Sequence, residues 1–230
     1  MGKLLSYIGQ MNGMSKALLG FIAAALSLLP IAALSQSRTD KAGAFDYYVL
    51  ALSWSPSWCA LEGDRRGSEQ CDAALDHGFV VHGLWPQYEH GWPSNCTTSE
   101  RDPSRRQTRD MADIMGSSGS AWHQWKKHGR CSGLSALDYF SHLRAAFASI
   151  KRPSVLRQIS APLDIPPSVI EAAFLEVNPG MSPDGVTITC KSGLIMEARI
   201  CMTRELELRQ CGRDVRRDCS ARSVIVTPIR

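Results

Sequence analysis

The chain has 230 residues, 44% of them apolar and 21% charged, which is enough to bury a sizeable core and too apolar for a largely disordered protein. Its formal charge of +4 admits a polyanionic partner without arguing for one. No internal period or low-complexity block points to a repeat array.

In the first 35 residues Lys3 and Lys16 are the only charges, and positions 17–33 are apolar apart from small polar interruptions and Pro30. Ala33 and Ser35 place small residues where a signal peptidase reads, so residues 1–35 are predicted to be a signal peptide. The stretch before Lys16 is long for such a peptide, which leaves Met11 or Met14 as alternative starts. A membrane anchor is the competing reading; the apolar run falls short of the roughly 20 residues of a bilayer span. Cleavage would remove two lysines and no acid, taking the charge from +4 to about +2. Residues 36–230 are expected to form one domain, periplasmic or secreted, monomeric and without a membrane anchor.

Residues 36–44 read as loose, and 46–54, rich in aromatic and branched side chains, as a buried strand. Pro, Gly, charges and two cysteines make 55–77 a stapled loop, and 78–84 is a second strand that Trp85-Pro86 should end. Residues 88–108 read as loop and turn; the arginines at 101, 105, 106 and 109 read as solvated surface. Residues 121–130 predict a short helix, and 136–150 a stronger one, with Leu137, Phe140, Leu143 and Phe147 at helical spacing. Another helix is expected over 164–177, around Pro166-Pro167. From Gly185 onward VTITC, LIMEARICM and SVIVTPI read as strands. Strands in runs with helices between them predict an α+β fold: a largely antiparallel sheet flanked by helices.

The eight cysteines, Cys59, Cys71, Cys96, Cys131, Cys190, Cys201, Cys211 and Cys219, all follow the predicted cleavage point. An even number behind a signal peptide predicts four disulfides in an oxidising compartment. No C-x-x-C pair supports zinc, and the roughly one hundred possible pairings stay open at this level.

Two segments concentrate the chemistry: VHGLWPQ, holding His82, and WHQWKKHGRC, holding His123 and His128. At about 100° per residue, His123, Gln124, Lys127 and His128 share one arc of a helix, while Trp125 turns away to pack inward. Alone, His82 reads as structural. With two further imidazoles it belongs to a set that can exchange protons near or below neutrality, and a lysine can hold charge growing on phosphorus. RNA carries its own nucleophile, the 2′-hydroxyl, so such a site needs neither metal nor a protein nucleophile.

HGLWPQ followed about 40 residues later by HQWKKHGRC resembles the two active-site segments of the ribonuclease T2 family. The resemblance extends over the chain from about Phe45 to its end. It implies an endoribonuclease that cleaves single-stranded RNA with low base specificity, through a 2′,3′-cyclic phosphate, with no cofactor and no metal. His82 would be the general acid, His128 the general base, Lys127 the stabiliser of the phosphorane, and His123 a phosphate ligand. Trp85, Gln87 and Trp92 would line the base pocket, with Trp92 stacking on a base. The same resemblance implies the bridges Cys59–Cys71, Cys96–Cys131, Cys190–Cys219 and Cys201–Cys211.

One position departs from the family's usual pattern: Gln124 stands where a glutamate is common. An amide neither ionises nor shares a proton, so it would hold a charged His128 less firmly. Two rival readings follow: a catalytically weak RNA-binding or signalling protein, and a zinc hydrolase built on His82, His123 and His128, which lacks a recognised zinc signature. His77, His90 and His142 read as surface or packing residues. Asn95-Cys96-Thr97 matches a glycosylation sequon whose middle cysteine is expected to be bridged.

Overall fold

A computed structural model of the chain describes residues 40–217 and 219–230. The predicted signal peptide, residues 1–35, lies outside them. Among the described residues six strands form one sheet: β1 (Tyr47–Trp54), β2 (Phe79–Gln87), β3 (Leu163–Ile165), β4 (Val186–Lys191), β5 (Leu194–Met202) and β6 (Val224–Val226). The order is β2-β1-β5-β6-β3, with β4 also paired to β5. Every pairing is antiparallel except the short parallel contact of β5 with β6 at Leu194 and Ile225.

The strand β1 reads YYVLALSW, without a charge, and all eight of its residues are buried. Its faces serve different ends. Tyr48, Leu50, Leu52 and Trp54 enter the main core, while Tyr47 and Val49 join Cys201, Cys211 and Val215 in a smaller cluster on the opposite face. The partly buried Trp85 packs against that smaller cluster. The hairpin β4–β5 turns at Ser192 and Gly193, both at positive φ (53° and 78°), the conformation of a two-residue turn that matches strand twist.

Among the described residues six α-helical segments flank the sheet: α1 (Ser55–Trp58), α2 (Arg105–Arg109), α3 (Ala112–Met115), α4 (Ser118–Lys127), α5 (Ala136–Ser149) and α6 (Pro167–Val177). Trp125, Tyr139, Leu143, Ile170 and Phe174 from α4, α5 and α6 are fully buried in the main core. Each such side chain contributes about 1.5–3 kcal/mol by leaving water. No helix among the described residues is long and apolar enough to cross a membrane.

Several expectations need correction. The stapled loop over 55–77 begins as α1 and continues through helical turns to Arg66, because Pro56 suits a first helical turn. Strand β2 does not stop at Trp85-Pro86 but runs through Pro86 to Gln87. It is an edge strand of the sheet, where a missing N–H need not break a ladder. The loop read over 88–108 contains the start of α2, which Ser104 and Gln107 open with reciprocal side-chain caps. The helix expected over 121–130 starts earlier, where Ser117 accepts from the Ser120 N–H, and ends at Lys127. In the segment 164–177, Leu163–Ile165 is strand β3 and the helix starts at Pro167, since a residue before proline favours extended backbone. The last expected strand, SVIVTPI, shortens to Val224–Val226. On α5, Leu137 is exposed and Tyr139 is buried in its stead.

Candidate active site

His82 sits in β2 at a break in register. Opposite β1, Leu52 pairs with Val81 and Ala51 with Gly83, so His82 is an extra residue with no partner across the ladder. Such a bulge bends a strand and re-aims its side chain. Here the imidazole is left about half exposed, 45% of its side chain. Gly83 follows for a steric reason. A Cβ there would run into Nε1 of Trp85 and Oε1 of Gln124, which lie directly against its backbone.

Those two atoms form a hydrogen bond: Trp85 Nε1–H donates to Gln124 Oε1 at 2.8 Å. An indole N–H only donates, so the group opposite must accept, and an amide oxygen does. Gln124 is 3% exposed, and this bond fixes α4 to β2. Trp85 in turn stands between two imidazoles. Its ring lies edge-on to His82 and stacked at 30° on His128, with both centroids 5.2 Å away.

Helix α4 is anchored from its far side. Buried Trp125 donates to Asp102 at 2.8 Å, and Arg130 and Lys126 bind the same carboxylate at 2.6 and 3.2 Å. Burial pushes the Asp102 carboxyl up, but the bonds from Arg130, Trp125 and Lys126 outweigh it and bring it down to about 2. The helix ends at Lys127. His128 adopts φ −123°, ψ −43°, off the helix, while its N–H still donates to the Gln124 carbonyl. It therefore does not continue the helical arc expected of it, although it reaches the same site. The Cys96–Cys131 bridge and the Asn95 N–H donating to the Lys127 carbonyl (2.8 Å) tie the loop after β2 to this helix end. The other bridges are Cys59–Cys71, Cys190–Cys219 and Cys201–Cys211.

The two catalytic candidates differ electrically. His128 is 6% exposed and its Nδ1 has no hydrogen-bond partner. Burial, then the neighbouring Lys127, His82 and His123, push its imidazole down to about 3 from an ordinary 6.5. His82, by contrast, has its Nδ1 2.5 Å from Oε1 of Glu197 on β5. Burial pushes the Glu197 carboxyl up, but the bond and charge of His82 and the Arg199 guanidinium outweigh it and hold it below the usual range. His123 and Lys127 are exposed on α4 beside them.

Two cavities meet at this point. One, of about 360 Å³, is lined by His82, Trp85, Gln87, Trp92, His123, Gln124, Lys127, His128, Glu197 and Arg199. The other, of about 680 Å³, lies among α1, α3 and β5 and shares His82, His123, Gln124 and Glu197 with the first. A cleft that widens on both sides of clustered imidazoles can hold a chain running through it.

The model of the Ribonuclease T2 family matches residues 45–211, which include every residue just named. The chain belongs to the ribonuclease T2 family. A ribonuclease from Aeromonas hydrophila is 50% identical over 99 residues, 43% of this chain and 43% of that protein. A probable ribonuclease from Haemophilus influenzae is 31% identical over 121 residues, 47% of this chain and 44% of that one. The matched stretch thus spans less than half the length of either relative. The RNase-related protein from Calystegia sepium superposes with a TM-score of 0.65 at 21% identity, over 80% of this chain and 97% of its own. RNase NT in complex with 5′-AMP does so with a TM-score of 0.56 at 22% identity, over 81% and 99%. At such identities the likeness is one of fold.

In this ribonuclease T2 fold the seven candidate residues of the two segments, together with Trp92, surround one cavity. Trp92 is the most open of the aromatic ones, 57% exposed, on a loop whose Gly91 N–H donates to Asp214 at 2.7 Å. Gln87 is buried and donates to the Pro86 carbonyl at 2.9 Å. His77, His90 and His142 do not line this cavity. Sequence reasoning missed Glu197 and Arg199. Their signal was present: they are the only charges in the nine-residue strand LIMEARICM, two apart and so on one face.

Proposed function

We propose that the protein is an endoribonuclease that cleaves single-stranded RNA with low base specificity, without metal, by transphosphorylation and then hydrolysis. The observation that supports this reading is the pair of unlike imidazoles on one cavity: a buried, uncharged His128 and a carboxylate-bound His82. Pairs of titratable groups pushed apart by their surroundings mark acid and base.

In the first step the His128 imidazole takes the proton of the 2′-hydroxyl, and the 2′-oxygen attacks phosphorus. The bond to the 5′-oxygen breaks, and His82 gives that oxygen a proton. The products are a 2′,3′-cyclic phosphate and a free 5′-hydroxyl. In the second step His82 takes a proton from water, water oxygen attacks phosphorus, and His128 returns its proton to the 2′-oxygen, leaving a 3′-phosphate. Lys127 and His123 hold the charge on the phosphorane. Trp92, Gln87 and Trp85 offer a surface on which a base can stack, which favours unpaired RNA over a duplex. Gln124 holds Trp85, a task that needs an acceptor and not a charge. Four disulfides suit a periplasmic or extracellular site of action.

The test is incubation of the oxidised protein with a short single-stranded RNA in EDTA across pH 4–8, with detection of 2′,3′-cyclic phosphate ends. Cleavage that persists in EDTA and disappears in His82→Ala and His128→Ala is expected. Loss of wild-type cleavage in EDTA, restored by zinc, would contradict the metal-free mechanism.

A further inference from the structure

The carboxylate beside His82 has no counterpart in the two active-site segments. It comes from β5, 115 residues away in sequence, where Glu197 stands opposite Ser53 of β1. Glu197 is 8% exposed, and an ionised carboxylate that deep must have partners. It has two. Oε1 faces Nδ1 of His82 at 2.5 Å, and Oε2 accepts from Nε and Nη2 of Arg199 at 2.9 and 2.8 Å. Arg199 also lies over the Trp85 ring, 5.4 Å from its centroid. An ionised carboxylate only accepts, so the proton of this contact sits on Nδ1 of His82. The ring's other nitrogen, Nε2, is then the one that exchanges protons with a ligand.

Resting on the ribonuclease reading above, we infer that Glu197 is the positioning residue of the general acid: it fixes the tautomer and orientation of His82 and stabilises its imidazolium, supplying from β5 the negative charge that Gln124 does not bring on α4. In the first step the Nε2 proton passes to the departing 5′-oxygen, while Nδ1–H stays with Glu197. In the second step Nε2 takes a proton from water and the imidazolium is restored. Arg199 keeps the carboxylate ionised and aligned. The charged and titratable groups that line the cavity with His82 are His123, Lys127 and His128 from α4 and its end, Glu197 and Arg199 from β5, and Asp214 from the connection between β5 and β6. Arg66 and Glu69 line the larger cavity that His82 shares. Glu197 is the one carboxylate that bonds His82 among the described residues.

The test compares two substrates of the full, oxidised protein. A dinucleoside monophosphate expels a 5′-alkoxide, which needs a proton. A nucleoside 3′-(4-nitrophenyl phosphate) expels 4-nitrophenolate, which does not. Glu197→Gln is expected to lower kcat on the dinucleotide by roughly 10–100-fold with KM little changed, and to move the alkaline limb of its pH profile to lower pH. On the nitrophenyl ester the same variant should stay within about threefold of wild type. Glu197→Asp should recover part of the loss. Equal losses on both substrates with an unmoved alkaline limb would overturn the inference and leave Glu197 a structural ion-pair member. Should Glu197→Gln fail to fold, the 15N spectrum of the uncharged His82 ring in the wild type decides: the Nδ1–H tautomer supports the proposal and the Nε2–H tautomer overturns it. An active wild type that Glu197→Gln leaves unchanged sinks this inference alone. A wild type inactive on both substrates sinks the ribonuclease reading, and the catalytic use of the pair with it.

Discussion

His82 and His128 look onto the same cavity and pack against the same Trp85, one edge-on and the other stacked, yet their surroundings are opposite. His82 is half exposed at a bulge of an edge strand, and its inner nitrogen rests on an ionised carboxylate. His128 is buried just past a helix end, with an unpartnered Nδ1 and three cationic or cationisable neighbours. The first environment favours a held proton and the second an empty lone pair. Under the proposed mechanism it is this difference of environment, more than residue type, that divides acid from base.

The bluntest way to break the comparison is to remove either imidazole. His82→Ala and His128→Ala should each lower kcat/KM on RNA by roughly 10²–10⁴-fold, read as the rate of cyclic-phosphate formation. If the two act as one unit, the double variant should lose little more than either single one.

The wall that separates the histidines offers a gentler test. Gly83→Ala places a methyl against Trp85 Nε1 and Gln124 Oε1, neither of which can retreat far. A destabilisation of about 1–3 kcal/mol is expected in urea unfolding, with a fall in kcat beyond that accounted for by stability. Unchanged unfolding would mean that the contact between β2 and α4 is looser than the hydrogen bond implies. On the far side of α4, Asp102→Asn should cost about 1–2 kcal/mol at pH 7. The cost should vanish as pH falls towards about 2, where the native carboxyl itself protonates.

Sharpening the comparison needs smaller changes. Gln124→Glu would bring a negative charge near His128 and favour its imidazolium. A base must be uncharged to act, so the acid limb of the pH profile should move to higher pH, by about one unit. A limb that stays in place would show that position 124 does not reach His128.

How far could the sequence take this? Strand β1 was legible because a run of eight uncharged residues, six of them aromatic or branched, has only a buried strand to go to. The grouping of His123, Gln124 and Lys127 was legible because helical spacing is local. His128 was placed at the right site for a partly wrong reason, since the helix stops one residue before it. The bulge at His82 was not legible, because it exists only in the register of β2 against β1. Glu197 was missed for the same kind of reason: nothing local to LIMEARICM says that its glutamate will meet a histidine 115 residues earlier. The helical turns of 55–66 were hidden behind proline and glycine, which usually mark loops. Gly63 is there because a Cβ would strike Cys71 Sγ and the Trp58 ring.

The difference between the histidines rests on His128 being uncharged, and that can be read directly. Between about 3 and 6.5 the unfolded chain binds a proton at this imidazole that the folded chain refuses, so acidification through that window favours unfolding. The deciding measurement is an NMR titration of the assigned His128 ring in the folded wild type from pH 7 to pH 4.5. The account predicts chemical shifts that stay at their neutral values throughout. A His128 ring that titrates near 6.5 would contradict it, and with it the division of labour between the two imidazoles.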